Sequence, residues 1–129
     1  MSVLYRLTVQ PMDHRIKTYV RPLRRRWGLT QRELAFLIGA NSGTVVSRIE
    51  GVKRTPSLAA TFALAIVFSA APAELFPALS SQIHEDVITR ARELYEELQG
   101  DPSRTTRVKL DFLEAVLVRL ESKGTANDV

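Results

Sequence analysis

The sequence predicts an all-α protein in which a five-helix unit precedes a C-terminal helical hairpin. Three observations carry that prediction. Residues 30–54 contain two short amphipathic segments joined by a tight corner. Residues 55–73 form a charge-free apolar stretch bracketed by Pro56 and Pro72. From Ile83 onward an apolar repeat at spacings of four and three is broken once, by Gly100-Asp101-Pro102-Ser103. A chain of 129 residues with 45% hydrophobic content suits one cored domain plus an appendage.

Residues 1–13 read as an N-terminal arm or strand, because Val3, Tyr5, Leu7 and Val9 alternate with more polar neighbours at the period of a half-buried strand. The sequence offers no second strand to partner it. Its backbone groups must therefore pair with a copy in another subunit or stay solvated in an extended arm. The first helix is expected over residues 20–27, with Pro22 near its start, where a missing N–H costs nothing. Arg21, Arg24, Arg25 and Arg26 crowd this segment, as a solvated helix face or as a grip on phosphate.

Thr30-Gln31-Arg32-Glu33 has the form of a capping box and fixes the start of the second helix. Leu34, Ala35, Leu37 and Ile38 share its inner face, and Gly39 is the residue through which the chain can leave in a left-handed conformation. Ser42 is a suitable N-cap for the third helix. Val46 and Ile49 point inward from that helix, leaving Gly43, Thr44, Ser47 and Arg48 outside. Two helices this short are stable only when set steeply against a common core, as a helix-turn-helix.

The fourth helix, residues 58–70, should bury Leu58, Phe62, Ala65 and Phe68, while Leu64, Ile66 and Val67 make its other faces apolar as well. Such a helix needs cover on more than one side. Residues 72–79 read as a closing fifth helix in which Leu75 and Phe76 plug the core and Pro77 ends the run. The hairpin is expected over residues 80–123. Ile83, Val87, Ala91, Leu94 and Leu98 face inward from its first helix, and Leu110, Leu113, Val116, Leu117 and Leu120 from its second. Residues 124–129 read as a frayed tail.

Several function classes are unsupported. There is no cysteine, and His14 and His84 are too far apart in sequence for metal-ligand spacing, so no metal is expected. Glu93, Glu96 and Glu97 read as a solvated acidic face, with nothing converging on them to make an acid/base pair. No phosphate loop and no nucleophile with a base is present, so neither an enzyme nor a cofactor is expected. The continuously apolar core of the fourth helix, residues 62–68, is far shorter than a bilayer requires, and the N-terminus has no secretory pattern. A cytoplasmic location without membrane association follows as the expectation.

Charge is unevenly distributed. Residues 1–60 carry 11 Lys and Arg against 3 Asp and Glu, a net +8, whereas residues 61–129 carry 7 against 11, a net −4. The basic half coincides with the helix-turn-helix, as attraction to a polyanion requires.

Gly28-Leu29-Thr30-Gln31, Glu33-Leu34-Ala35, Gly39, Ser47-Arg48-Ile49-Glu50, Lys53-Arg54, Pro56-Ser57-Leu58 and Glu74-Leu75-Phe76 together resemble the phage-repressor and Cro-like helix-turn-helix family, also called the xenobiotic-response-element or XRE family. The resemblance spans residues 19–79 and implies a lambda-repressor-like five-helix DNA-binding domain within residues 14–79. It implies that Gln31 clamps a backbone phosphate and that Arg24 pairs with Glu50. The chain departs from the family in a corner one residue longer than usual, in Gly43 where relatives often carry a base-reading side chain, and in Gly51-Val52 where many carry Asn-Gly.

Candidate base-edge residues are Gly43, Thr44, Val45, Ser47 and Arg48, with Arg48 able to make two parallel hydrogen bonds to guanine. Candidate phosphate contacts are Thr30, Gln31, Arg32, Ser42, Lys53 and Arg54. The expected function is a transcriptional regulator, a repressor, that binds a near-palindromic duplex operator as a homodimer. Two alternatives use the same fold: an antitoxin whose C-terminal part neutralises a toxin protein, and an interaction adaptor that no longer reads DNA.

Overall fold

A computed structural model of the protein describes residues 15–127, with side chains through residue 122, and every regular element among them is an α-helix. These are α1 (Val20–Arg26), α2 (Gln31–Leu37), α3 (Gly43–Glu50), α4 (Leu58–Phe68), α5 (Pro72–Leu75), α6 (Pro77–Glu97) and α7 (Arg104–Asn127). The expected N-terminal arm or strand and His14 lie outside the described residues. The chain divides into two compact units after Ser81.

In the first unit each helix starts and stops for a local chemical reason. At α2 the Thr30 hydroxyl accepts from Glu33 N at 3.0 Å and the Glu33 carboxylate accepts from Thr30 N at 2.9 Å, which satisfies two donors that a helix start leaves unpaired. Gly39, at φ +74°, turns the chain away beyond the far end. At α4 the Ser57 hydroxyl accepts from Ala60 N, and before α5 the Glu74 carboxylate reaches back to Ala71 N. Leu23, Leu34, Val46, Leu64 and Leu75, one from each of α1 to α5, meet in a single buried core with Val20, Ala35, Phe68 and Ala70. Two backbone bonds close this unit, Tyr19 N to Leu75 O at 2.9 Å and Ala78 N to Ile16 O at 3.1 Å.

Four sequence expectations for this unit need correction. Leu37 is exposed, at 51%, and the inner face of α2 is carried by Leu34, Ala35 and Ile38. Leu58 and Phe62 are exposed, at 71% and 56%, and the residues of α4 that reach the core are Leu64 and Phe68. An all-apolar helix carries no pattern to say which side faces inward, so the core's shape decides. The closing helix α5 is a single turn ending at Leu75. Pro77 does not terminate it but begins α6: the residue before a proline is held out of the helical region, and Phe76 accordingly sits at φ −131°, ψ 67°.

In the second unit, Ile88 and Ala91 of α6 and Leu113 and Val116 of α7 are buried. The turn before α7 is organised by Asp101, whose carboxylate accepts from Ser103 N at 2.9 Å and from the Thr106 hydroxyl at 2.8 Å. Those bonds, the Ser103 amide first, hold the Asp101 carboxyl below its ordinary range. His84 contacts Leu120 O at 3.2 Å, and Arg92 pairs with Glu121. The inward stripe of α6 lies one residue later than its sequence suggests: Ile83, Val87 and Leu94 are exposed, while Ile88 is buried and His84 and Tyr95 are half-buried. A shift of one residue rotates a helix face by about 100°. Helix α7 continues to Asn127.

Candidate nucleic-acid interface

Helices α2 and α3 are joined by a short corner, and Gly43 sets how closely they approach. A Cβ added at Gly43 would stand 3.2 Å from Arg32 N and 3.4 Å from Gln31 C. The first residue of α3 therefore rests on the backbone of the first turn of α2, and a side chain there would push the two helices apart. Gly43 faces its own fold, so what it offers a partner is backbone alone. Ser42 is extended and makes no side-chain capping bond.

Val46 and Ile49 anchor α3 in the interior, at 1% and 2% exposure. Thr44, Ser47 and Arg48 are exposed on the opposite side, and Val45 is half-buried between the two faces. One short helix thus has an apolar underside and an outer surface of a hydroxyl-methyl, a hydroxyl and a guanidinium. Those groups suit the edges of base pairs.

The orientation of α3 is fixed at its last residue. The Glu50 side chain is fully buried, at 0% exposure, and Arg24 beside it is 10% exposed. Arg24 Nε donates to Glu50 Oε2 at 2.6 Å and a terminal nitrogen of Arg24 donates to Oε1 at 3.1 Å. The other terminal nitrogen of Arg24 donates to Leu29 O at 2.8 Å, in the loop between α1 and α2. Gln31 Nε2 and Arg21 Nε also donate to Glu50 Oε1, at 3.1 Å and 3.2 Å. Burial pushes the Glu50 carboxyl up, but the hydrogen bonds from Arg24, Gln31 and Arg21, with the charge of Arg24, hold it below the ordinary value of 4.5. One carboxylate therefore ties α3 to both α1 and α2.

Beyond Glu50 the chain leaves α3 by a Schellman turn, in which Lys53 N donates to Arg48 O at 2.9 Å and Val52 N donates to Ile49 O at 3.1 Å. This turn requires a left-handed residue at position 52, and Val52 takes φ +57° while Gly51 stays in the ordinary helical region. A β-branched residue in that region is strained. Lys53 and Arg54, which follow this turn, are exposed.

Among the candidate phosphate contacts, Thr30, Arg32, Ser42, Lys53 and Arg54 are exposed. Gln31 is half-buried, with its amide on Glu50. Arg25 and Arg26 are exposed on α1. Glu33, the one acidic residue at the start of α2, is committed to the Thr30 cap, whose backbone N–H holds its carboxyl below the ordinary range. Arg21, one of the four arginines that crowd α1 in the sequence, is exposed and lies three residues from Arg24, on the same face of that helix. Among the described residues no cluster of acidic and histidine side chains could hold a metal, and no helix is long and apolar enough to cross a membrane. No known protein family, curated protein or solved structure matches the chain.

Proposed function

We propose that this protein is a cytoplasmic, sequence-specific DNA-binding regulator of the phage-repressor-like helix-turn-helix type. In this reading residues 19–79 form a lambda-repressor-like domain that acts as a repressor on a near-palindromic operator, bound as a homodimer. The observation that carries the reading is the outer face of α3, where Thr44, Ser47 and Arg48 are exposed with Arg32, Lys53 and Arg54 on the flanking segments. Base-edge groups on a short helix, ringed by cations that can grip phosphate, are what major-groove reading requires. Selection of bound sequences from random duplex DNA tests it. Enrichment of two inverted half-sites about one helical turn apart is the expected result; absence of binding to any duplex at low salt overturns it.

An antitoxin is the second reading, favoured by apolar side chains left open on both units. Leu58, Phe62 and Ile66 are 71%, 56% and 80% exposed on α4, and Ile83, Val87 and Leu94 are exposed on α6. Contiguous exposed apolar surface marks a protein partner. Stoichiometric co-purification with a distinct small protein, released by polar substitutions at these positions, distinguishes this reading from self-association.

A further inference from the structure

Glu50 receives more donors than one of its oxygens can use. Oε2 accepts from Arg24 Nε alone, whereas Oε1 accepts from a terminal nitrogen of Arg24 at 3.1 Å, Gln31 Nε2 at 3.1 Å and Arg21 Nε at 3.2 Å. A carboxylate oxygen offers about two lone-pair directions, so one of those three donors is in excess. Arg24 is fixed by its burial and by its further bond to Leu29 O. The excess falls on Arg21 and Gln31.

Charge gives the same result. One carboxylate faces two guanidinium groups, and the buried Arg24 neutralises it, which leaves the charge of Arg21 uncompensated. The Arg21 side chain is 45% exposed and, among the described residues, is tethered only through Nε. Among the described residues neither of its terminal nitrogens has a hydrogen-bond partner. Gln31 likewise spends one amide N–H on Glu50 and keeps its second. Both donors bond the same oxygen atom, so Arg21 on α1 and Gln31 at the first turn of α2 converge on one point. Two converging donors, one of them cationic, match the two non-bridging oxygens of a phosphodiester.

We propose that Arg21 is a DNA-phosphate contact, held on Glu50 through Nε so that its terminal nitrogens and the remaining amide N–H of Gln31 take one backbone phosphate together. The proposal rests on the DNA-binding reading above. Arg21 serves affinity and register, not the choice of bases.

The test uses the full chain and its Arg21→Gln and Arg21→Lys variants. Each is titrated against a fluorescent duplex pool of random sequence over a series of salt concentrations, with thermal unfolding in parallel. Arg21→Gln should keep the thermal midpoint of the parent, bind every duplex more weakly by a similar factor, and lower the slope of log affinity against log salt by about one per bound subunit. Arg21→Lys, which preserves the charge, should retain most of that slope. A parental slope in Arg21→Gln overturns the proposal, and a lowered midpoint with that slope unchanged assigns Arg21 to the fold alone. Failure of the parent protein to bind any duplex overturns the DNA-binding reading itself, and this assignment with it.

Discussion

Arg24 and Glu50, 26 residues apart in the chain, meet as a bidentate pair in which Arg24 Nε lies 2.6 Å from Oε2 and a terminal nitrogen lies 3.1 Å from Oε1. With the Glu50 side chain at 0% exposure, removing Arg24 strands a buried charge. Arg24→Ala and Glu50→Ala should each destabilise the fold by about 3–5 kcal/mol, measured by urea unfolding. The double variant Arg24→Met/Glu50→Leu should lose less than the two single losses added together, because no unpaired charge remains.

The same pair makes stability depend on pH. The folded-state carboxyl of Glu50 titrates below its ordinary value of 4.5, so its contribution is complete above that value and is lost as pH falls through the folded-state value. The thermal midpoint should hold near neutral pH and drop on acidification below about 4.5. Glu50→Gln should begin with a lower midpoint and show a shallower acid limb. An acid limb identical to the parent's would place the titrating group elsewhere.

Gly43 packs against backbone, which cannot swing aside. Gly43→Ala should destabilise by about 1–3 kcal/mol through overpacking, despite the better helix propensity of alanine. Equal or higher stability in chemical denaturation would contradict the close approach of α2 and α3.

Val52 is strained where Gly51 is not. Val52→Gly should raise stability by up to about 1 kcal/mol, since the left-handed conformation costs a β-branched residue about 1–2 kcal/mol and the added flexibility of glycine returns part of it. Calorimetry reads the change, and a loss of stability would show that the Val52 side chain contributes packing that outweighs its strain.

The Arg48 side chain is exposed and, among the described residues, has no hydrogen bond or ion pair. Arg48→Ala should leave unfolding within about 0.5 kcal/mol of the parent while relaxing discrimination at one base position by about 1–3 kcal/mol, read by competition between duplexes. Equal weakening on all sequences would make it a phosphate contact.

Much of this organisation was legible in the sequence. Thr30, Glu33 and Gly39 announced the bounds of α2 because caps are local chemistry, and Val46 and Ile49 announced the underside of α3 because its apolar residues are few and periodic. The sides of α4 were not legible, since Leu58, Phe62 and Leu64 are chemically equivalent and only the neighbouring helices distinguish them. The register of α6 failed for a related reason: Ile83 and Val87 compete with His84 and Ile88 for the inner face, and Ala91 fits either pattern. Pro77 is ambiguous in sequence because a proline after an apolar turn signals both an end and a beginning. In the candidate site, Arg24 and Glu50 came from resemblance, while the convergence of Arg21 and Gln31 on the same oxygen is a long-range contact that no local pattern encodes.

The separation between the two sides of α3 has an evolutionary consequence. Thr44, Ser47 and Arg48 share a helix with Val46, Ile49 and Glu50, yet they take no part in the core or in the carboxylate junction. Mutations at those three positions can accumulate without eroding foldedness, so duplicated copies of this gene are free to diverge on this face through a handful of neutral-to-stability steps.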